Sequence, residues 1–215
     1  AALSGENGRK REYSTQPLRT LIVAPNWIGD AVMAQPLVAL LKRFDPDGTI
    51  DAMAPAHVAP VFGAMAEIGE VLEAPNVHGR LQLAERWRLS RRLRQRRYDR
   101  CYVLPNSMKS AIAPFLAAIP QRHGHRGEAR YLLLNRLHQD GVARDRPMVE
   151  FYAQLAFEPG SAMPGPIPNP VLARDAEETV FGVEVWREEA DFTRLRDDPR
   201  WKALLEKYPA PDAEK

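Results

Sequence analysis

From residue 18 onward, short uninterrupted apolar runs alternate with longer stretches whose apolar positions recur at helical spacing. TLIVA at 20–24 ends at Pro25 and reads as a strand buried on both faces of a parallel sheet. Gly29 and Asp30 then open a helical stretch to residue 44, in which Val32, Leu37, Leu40, Leu41 and Phe44 can line one side. Pro36 should kink that helix or restart it. Further strands are expected at 49–54, 70–74 and 101–104, and helices at 56–66, 81–97, 107–119 and 147–157, with Ser107 as the N-cap of the third. The repeated strand-helix order implies an α/β fold, a Rossmann-like parallel sheet flanked by helices. PGSAMPGPIPNP at 159–170 is a proline-rich linker. Beyond it, TVFGVEVW at 179–186 reads as a strand and 188–208 as one or two helices around Pro199, a short strand-helix tail.

Charge sharpens that division. Residues 175–215 hold 12 acidic and 7 basic side chains, against 16 and 23 before them, so the tail and the body look like different pieces. The polar opening, 1–17, lacks the apolar core of a secretory signal, and no run approaches the ~20 apolar residues of a membrane span. Cys101 is the single cysteine, which excludes an internal disulfide and suits a reducing compartment. Between residues 80 and 100 there are nine arginines and two acids, Glu85 and Asp99, with Leu83, Trp87, Leu89 and Leu93 as apolar anchors. Such a run is either a solvated helix face or a surface drawn to anions. Nucleic acid is disfavoured, because zinc-finger and RNP patterns are missing and aromatics are few.

In open parallel sheets, ligands sit at the carboxyl ends of the strands. Two post-strand loops therefore carry the candidate chemistry. In PNWIGD at 25–30, Gly29 would permit a tight turn, Asp30 would be a general base or only a helix-favouring carboxylate, and Trp27 a cleft wall or core. In the second loop Asn106, Ser107, Lys109 and Ser110 offer an amide, two hydroxyls and an ammonium near a helix start, a setting for a phosphate or carboxylate. It is not a Walker motif, since the glycine-rich lead-in is missing. His123, His125 and His138 lack metal-like partners at helical spacing and read as surface or structural residues.

Several separate motifs then point to one family. LRTLIVAPNWIGDAVMAQPLVALLKRF, IDAMAP, YDRCYVLPNSMKSAIAPFLAAIP, HGHRGEARYLLLN and PMVEFYAQLA, in that order over about residues 18–170, resemble the N-terminal domain of the ADP-heptose:lipopolysaccharide heptosyltransferases of glycosyltransferase family 9. The wording of the first loop is similar to that of the type II enzymes. The resemblance implies a GT-B architecture, with the acceptor held mainly by this first domain and the sugar nucleotide mainly by a second. It implies inverting transfer from ADP-heptose to the first heptose of a heptosylated Kdo2-lipid A acceptor, with no cofactor and no metal ion, and Asp30 as the base. Asn106, Ser107, Lys109 and Ser110 would hold anionic groups. Arg126, Glu128, Arg130 and Tyr131, in RGEARY, would border the acceptor, the arginines meeting its carboxylates and phosphates. The implied setting is the cytosolic face of the inner membrane, with peripheral attachment.

The resulting division is a polar extension at 1–17, a Rossmann-like acceptor domain at 18–158, the linker at 159–170, and an acidic tail at 171–215 outside the family pattern. No glycine-rich diphosphate site follows Pro170, so the chain reads as lacking most of the donor domain. A non-catalytic module that binds anionic glycolipid, or an inactive fragment, is the alternative. The apolar residues of the tail, among them Trp186, Phe192 and Trp201, would either cover surface left by a missing domain or pair between chains as an oligomer.

Overall fold

The computed structural model describes residues 16–74, 83–139, 147–161, 163 and 166–172. All belong to one unit, Ala1–Leu172. The expected tail strand and helices lie outside the described residues.

Six strands form one parallel sheet: β1 Arg19–Val23, β2 Thr49–Ala54, β3 Ile68–Glu73, β4 Arg100–Val103, β5 Gln121–His125 and β6 Arg136–His138, in the spatial order β3-β2-β1-β4-β5-β6. The helices are α1 Ile28–Met33, α2 Gln35–Phe44, α3 Ala59–Gly63, α4 Leu83–Gln95, α5 Met108–Leu116 and α6 Met148–Ala153, the last continued by a 3-10 turn, Gln154–Ala156. Pro36 restarts the first helical stretch: α1 ends at Met33 and α2 begins one residue before the proline, where a missing N–H breaks no bond. The helix expected at 56–66 shrinks to α3 for the same reason, because Pro60 fits only a first turn. Phe44 does not join the core side of α2. It is exposed and meets Phe157 edge-on at 5.6 Å.

Alternating positions on the strands serve two layers. Leu21, Val23, Met53, Cys101 and Val103 face α4 and α5, where they meet Leu93, Ala111, Ala113 and Ala117. The layer of α1, α2 and α6 covers the other face. Burial pushes the Cys101 thiol up to about 12, so it is an inert core group. Trp87 is no core anchor of α4; it stands 54% exposed with Arg91 5.0 Å above its ring.

β5 and β6 have no apolar run to announce them. They form because QRHGH extends the parallel ladder of β4, and RLH that of β5. Their side chains include His123, His125 and His138, all buried, which excludes the surface reading of these residues. His123 stacks on Tyr102 at 4.6 Å and His125 on Phe151 at 3.6 Å, and His125 Nε2 pairs with the Phe151 carbonyl at 2.6 Å. Both ring nitrogens of His123 and of His138 are buried without a hydrogen-bond partner. Burial accordingly pushes His123 down to about 3 and His138 down to about 4.

At the amino ends of the strands a polar network locks the sheet. Tyr98 donates to Asp51 at 2.6 Å, Arg96 forks onto Glu70 at 2.5 and 2.7 Å, and Arg100 reaches Thr20 at 2.8 Å and Asp45 at 3.5 Å. Two of the nine clustered arginines thus have structural partners far from the carboxyl edge.

Candidate functional site

The strand order reverses between β1 and β4, and the crevice at that switch point is where an open α/β sheet binds ligands. The post-β1 loop lines one wall and the post-β4 loop the other, so the topology brings the two sequence-predicted loops together.

On the β1 wall, Trp27 is the N-cap of α1 in extended conformation and 59% exposed, which makes it rim and not core. Gly29 lies inside α1 with no positive φ, and a Cβ there would meet nothing within 4 Å. The expected tight turn is therefore not what it supplies; what it leaves is open space before the loop. Asp30 occupies the first turn of α1, half-buried, and its carboxylate accepts no hydrogen bond from any described residue. Burial raises its pKa above the ordinary aspartate value. Tyr152 of α6 lies close by: burial and then the Asp30 charge push its phenol up. The post-β2 loop steadies this wall through His57 Nε2, 2.8 Å from the Asn26 carbonyl.

The β4 wall is built differently. Ser107 holds the N-cap position of α5 with no side-chain cap bond. The cap comes from outside the helix, where Glu128 accepts the Met108 N–H at 2.9 Å. Ser110 turns its hydroxyl back to the Ser107 carbonyl at 2.6 Å. Glu128 can reach because Gly127 approaches so closely that a Cβ would stand 2.6 Å from the Asn106 carbonyl oxygen. Behind them Arg130 is 1% exposed, and its guanidinium donates to the His125 carbonyl at 2.5 and 3.2 Å, to the Pro105 carbonyl, and to Asn106 Oδ1 at 3.1 Å.

These contacts correct two expectations. Arg130 is a buried brace whose three guanidinium nitrogens each donate to a protein oxygen, so it is not placed to meet acceptor carboxylates or phosphates. The first amide of α5 is occupied by a carboxylate and is not open to an anion. What stays available is cationic side chain: the Lys109 ammonium has no partner among the described residues, and Arg126 is exposed, its Nε donating to Tyr131 Oη at 2.9 Å. Tyr131 stands 51% exposed beneath the Arg126 guanidinium. Lys109 is held in place by its own carbonyl, which accepts from Arg86 of α4 at 2.7 Å. Sequence reasoning missed Tyr152 and the His57 latch; neither stands in a loop pattern that signals chemistry. Among the described residues no group of three or more His, Cys, Asp or Glu side chains could hold a metal ion.

A parallel sheet in this order, with helices on both faces and a half-buried carboxylate at its switch point, defines a Rossmann-like α/β domain. The sequence model of glycosyltransferase family 9 (heptosyltransferase) matches residues 86–188, continuing past Pro170 where the motif-by-motif resemblance stops. The chain is 44% identical over 160 residues to lipopolysaccharide heptosyltransferase 2 of Salmonella typhimurium, covering 72% of this chain and 45% of that protein. It is 41% identical over 166 residues to lipooligosaccharide heptosyltransferase 2 of Haemophilus ducreyi, covering 75% and 47%. Among solved structures, the E. coli ADP-heptose LPS heptosyltransferase II superposes with a TM-score of 0.67 at 36% identity, over 80% of this chain and 52% of that one. An E. coli heptosyltransferase solved with ADP-2-deoxy-2-fluoro heptose shares the fold, with a TM-score of 0.55 at 21% identity. The chain belongs to glycosyltransferase family 9. It spans about half the length of the curated relatives it matches.

Proposed function

We propose that residues 18–158 form the acceptor-binding half of an inverting lipopolysaccharide heptosyltransferase, followed by a linker at 159–170 and an acidic segment at 171–215, of which the part up to 188 still matches the family model. In this reading ADP-heptose is the donor, and a hydroxyl of the first heptose on a Kdo2-lipid A core is the acceptor. The acceptor oxygen bonds to the anomeric carbon, the bond from that carbon to the ADP oxygen breaks, and ADP departs with the electron pair. The hydroxyl proton goes to Asp30. Inversion requires the base on the face opposite the leaving group, which suits a carboxylate on the acceptor side of the crevice.

The single observation that carries this reading is Asp30 itself: a half-buried carboxylate at the switch point, without a hydrogen-bond donor among the described residues, whose pKa burial raises. A carboxylate so placed takes a proton more readily than a solvated one. Lys109 and Arg126 supply positive charge for anionic groups of the inner core; Trp27 stands exposed on the post-β1 loop and Tyr131 beside Arg126 on the post-β5 loop. The acceptor is carried on the cytosolic face of the inner membrane, where this half would meet it.

The test is a chimera in which residues 16–172 replace the matching part of E. coli lipopolysaccharide heptosyltransferase 2. Transfer from ADP-heptose is expected, and Asp30→Asn should lower it roughly 10²- to 10⁴-fold with acceptor affinity kept. Near-normal turnover in that variant removes Asp30 from the base role. Acceptor binding to the 215-residue chain alone should weaken with salt and weaken further in Lys109→Ala. Intact acceptor binding in a well-folded but inactive chimera would favour the non-catalytic glycolipid-binding module.

A further inference from the structure

The basic run on α4 is only partly accounted for by the fold. Ser90 and Leu93 turn inward and Arg86 braces Lys109, while Arg94 donates to the Leu116 carbonyl at 2.6 Å. The outer side keeps Trp87, Arg88, Arg91, Arg92 and Arg97 exposed, and the four arginines form no ion pair with any described residue. Glu73 and Glu85 border the same side beside Arg88 and Arg92, which leaves the face strongly positive overall. Helix α5, packed alongside in the same layer, adds Met108 and Phe115, 37% and 41% exposed, with Arg122 over the Phe115 ring at 5.4 Å.

We propose that the outer face of α4 and α5, centred on Trp87, Arg88, Arg91 and Arg92, is a docking surface for an anionic phospholipid bilayer. Guanidinium groups meet headgroup phosphates as hydrogen-bonding forks, and each basic side chain close to such a surface contributes about fivefold to binding. An exposed tryptophan beneath an arginine is amphipathic in the way the headgroup boundary rewards. The exposed Met108 and Phe115 decide between a bilayer and a nucleic acid, because a phosphate backbone gains nothing from apolar side chains next to it whereas the headgroup boundary does. The Arg86 bond to the Lys109 carbonyl ties this face to the start of α5 on the β4 wall. The surface is independent of the role given to Asp30.

The experiment uses the 215-residue chain with vesicles free of lipopolysaccharide, made of phosphatidylcholine with or without phosphatidylglycerol. Sedimentation should show binding to the anionic vesicles only, weakening with salt. Arg91→Gln should weaken it about fivefold, and the triple change Arg88→Gln, Arg91→Gln, Arg92→Gln roughly a hundredfold. Trp87→Ala should weaken it further at a salt concentration where charge is screened. Arg43→Gln, an exposed arginine in the last turn of α2 in the other layer, should leave binding unchanged. Equal loss in Arg43→Gln, binding indifferent to the α4 changes, or no preference for phosphatidylglycerol overturns the proposal. So does α4-dependent binding to single-stranded RNA with none to vesicles. Because the vesicles carry no acceptor, failure here leaves the transfer reading untouched, and failure of the chimera leaves this surface standing.

Discussion

The two walls of the switch-point crevice face each other across neighbouring strands, yet they are held in opposite ways. On the β4 side, one buried guanidinium gathers the His125 and Pro105 carbonyls and the Asn106 amide, and a carboxylate from the next loop caps α5. On the β1 side, Trp27 is exposed, Gly29 faces open space and Asp30 has no hydrogen-bond donor among the described residues. One wall has its loop carbonyls and helix start satisfied within the protein, with only the Lys109 ammonium left over, and the other leaves its carboxylate for something else. Satisfied polar groups make a rigid platform, whereas an unsatisfied half-buried charge is a standing cost that function has to justify.

The sharpest way to break this contrast is to remove the brace. Arg130→Met should destabilise the fold by about 2 kcal/mol or more, since the buried His125 carbonyl loses its donors at roughly 1 to 3 kcal/mol and two part-buried oxygens lose theirs at less. Denaturant midpoints measure it. Arg130→Lys should rescue little, because an ammonium cannot reproduce the planar fork. A loss under about 1 kcal/mol would mean that water satisfies those oxygens and the wall is not braced as described.

Acid should loosen the same side. His123 and His138 are neutral in the folded protein, with pKa values pushed to about 3 and about 4, while in the unfolded chain they protonate near the ordinary value of 6.5. Below that value the unfolded state binds the protons that the folded state refuses, so stability falls as pH drops from about 6.5 towards 4, by up to about 1.4 kcal/mol per pH unit for each histidine. Replacing His138 with Gln or Phe should flatten the slope in thermal melts. An unchanged slope would move the acid sensitivity to other groups.

The cap gives a smaller and more specific effect. Glu128→Ala should cost about 1 kcal/mol and Ser107→Ala less than about 0.5, the reverse of what the helix-start position alone suggests. Equal effects would return the cap to Ser107. The smallest effect falls on the other wall. Asp30 has a folded pKa above its unfolded one, so its ionised form is disfavoured by folding at neutral pH and that cost fades as acid protonates it. Asp30→Asn should therefore raise Tm slightly at pH 7, the gain shrinking towards pH 4, which would identify a residue kept against stability. A lowered Tm would show instead that the carboxylate helps hold α1.

Much of this architecture was legible in the residues. Apolar runs such as TLIVA and IDAMA announce strands by side-chain pattern, Pro36 marks a helix restart by backbone chemistry, and Asp30 could be singled out because it follows a buried strand and opens a helix, whereas the trimming of the expected 56–66 helix at Pro60 came only from the structure. Those are local properties, and local properties survive in one dimension. What only the tertiary structure decided is pairing at long range. QRHGH becomes a strand because β4 offers it a ladder, Glu128 becomes the cap of a helix that begins twenty residues earlier, and Arg130 becomes a brace because the topology wraps three oxygens around it. No composition or spacing separates an arginine that binds an outside anion from one whose donors meet backbone carbonyls. That choice depends on which oxygens the fold brings within about 3 Å, and it was made by the sheet order that set β4 beside β5.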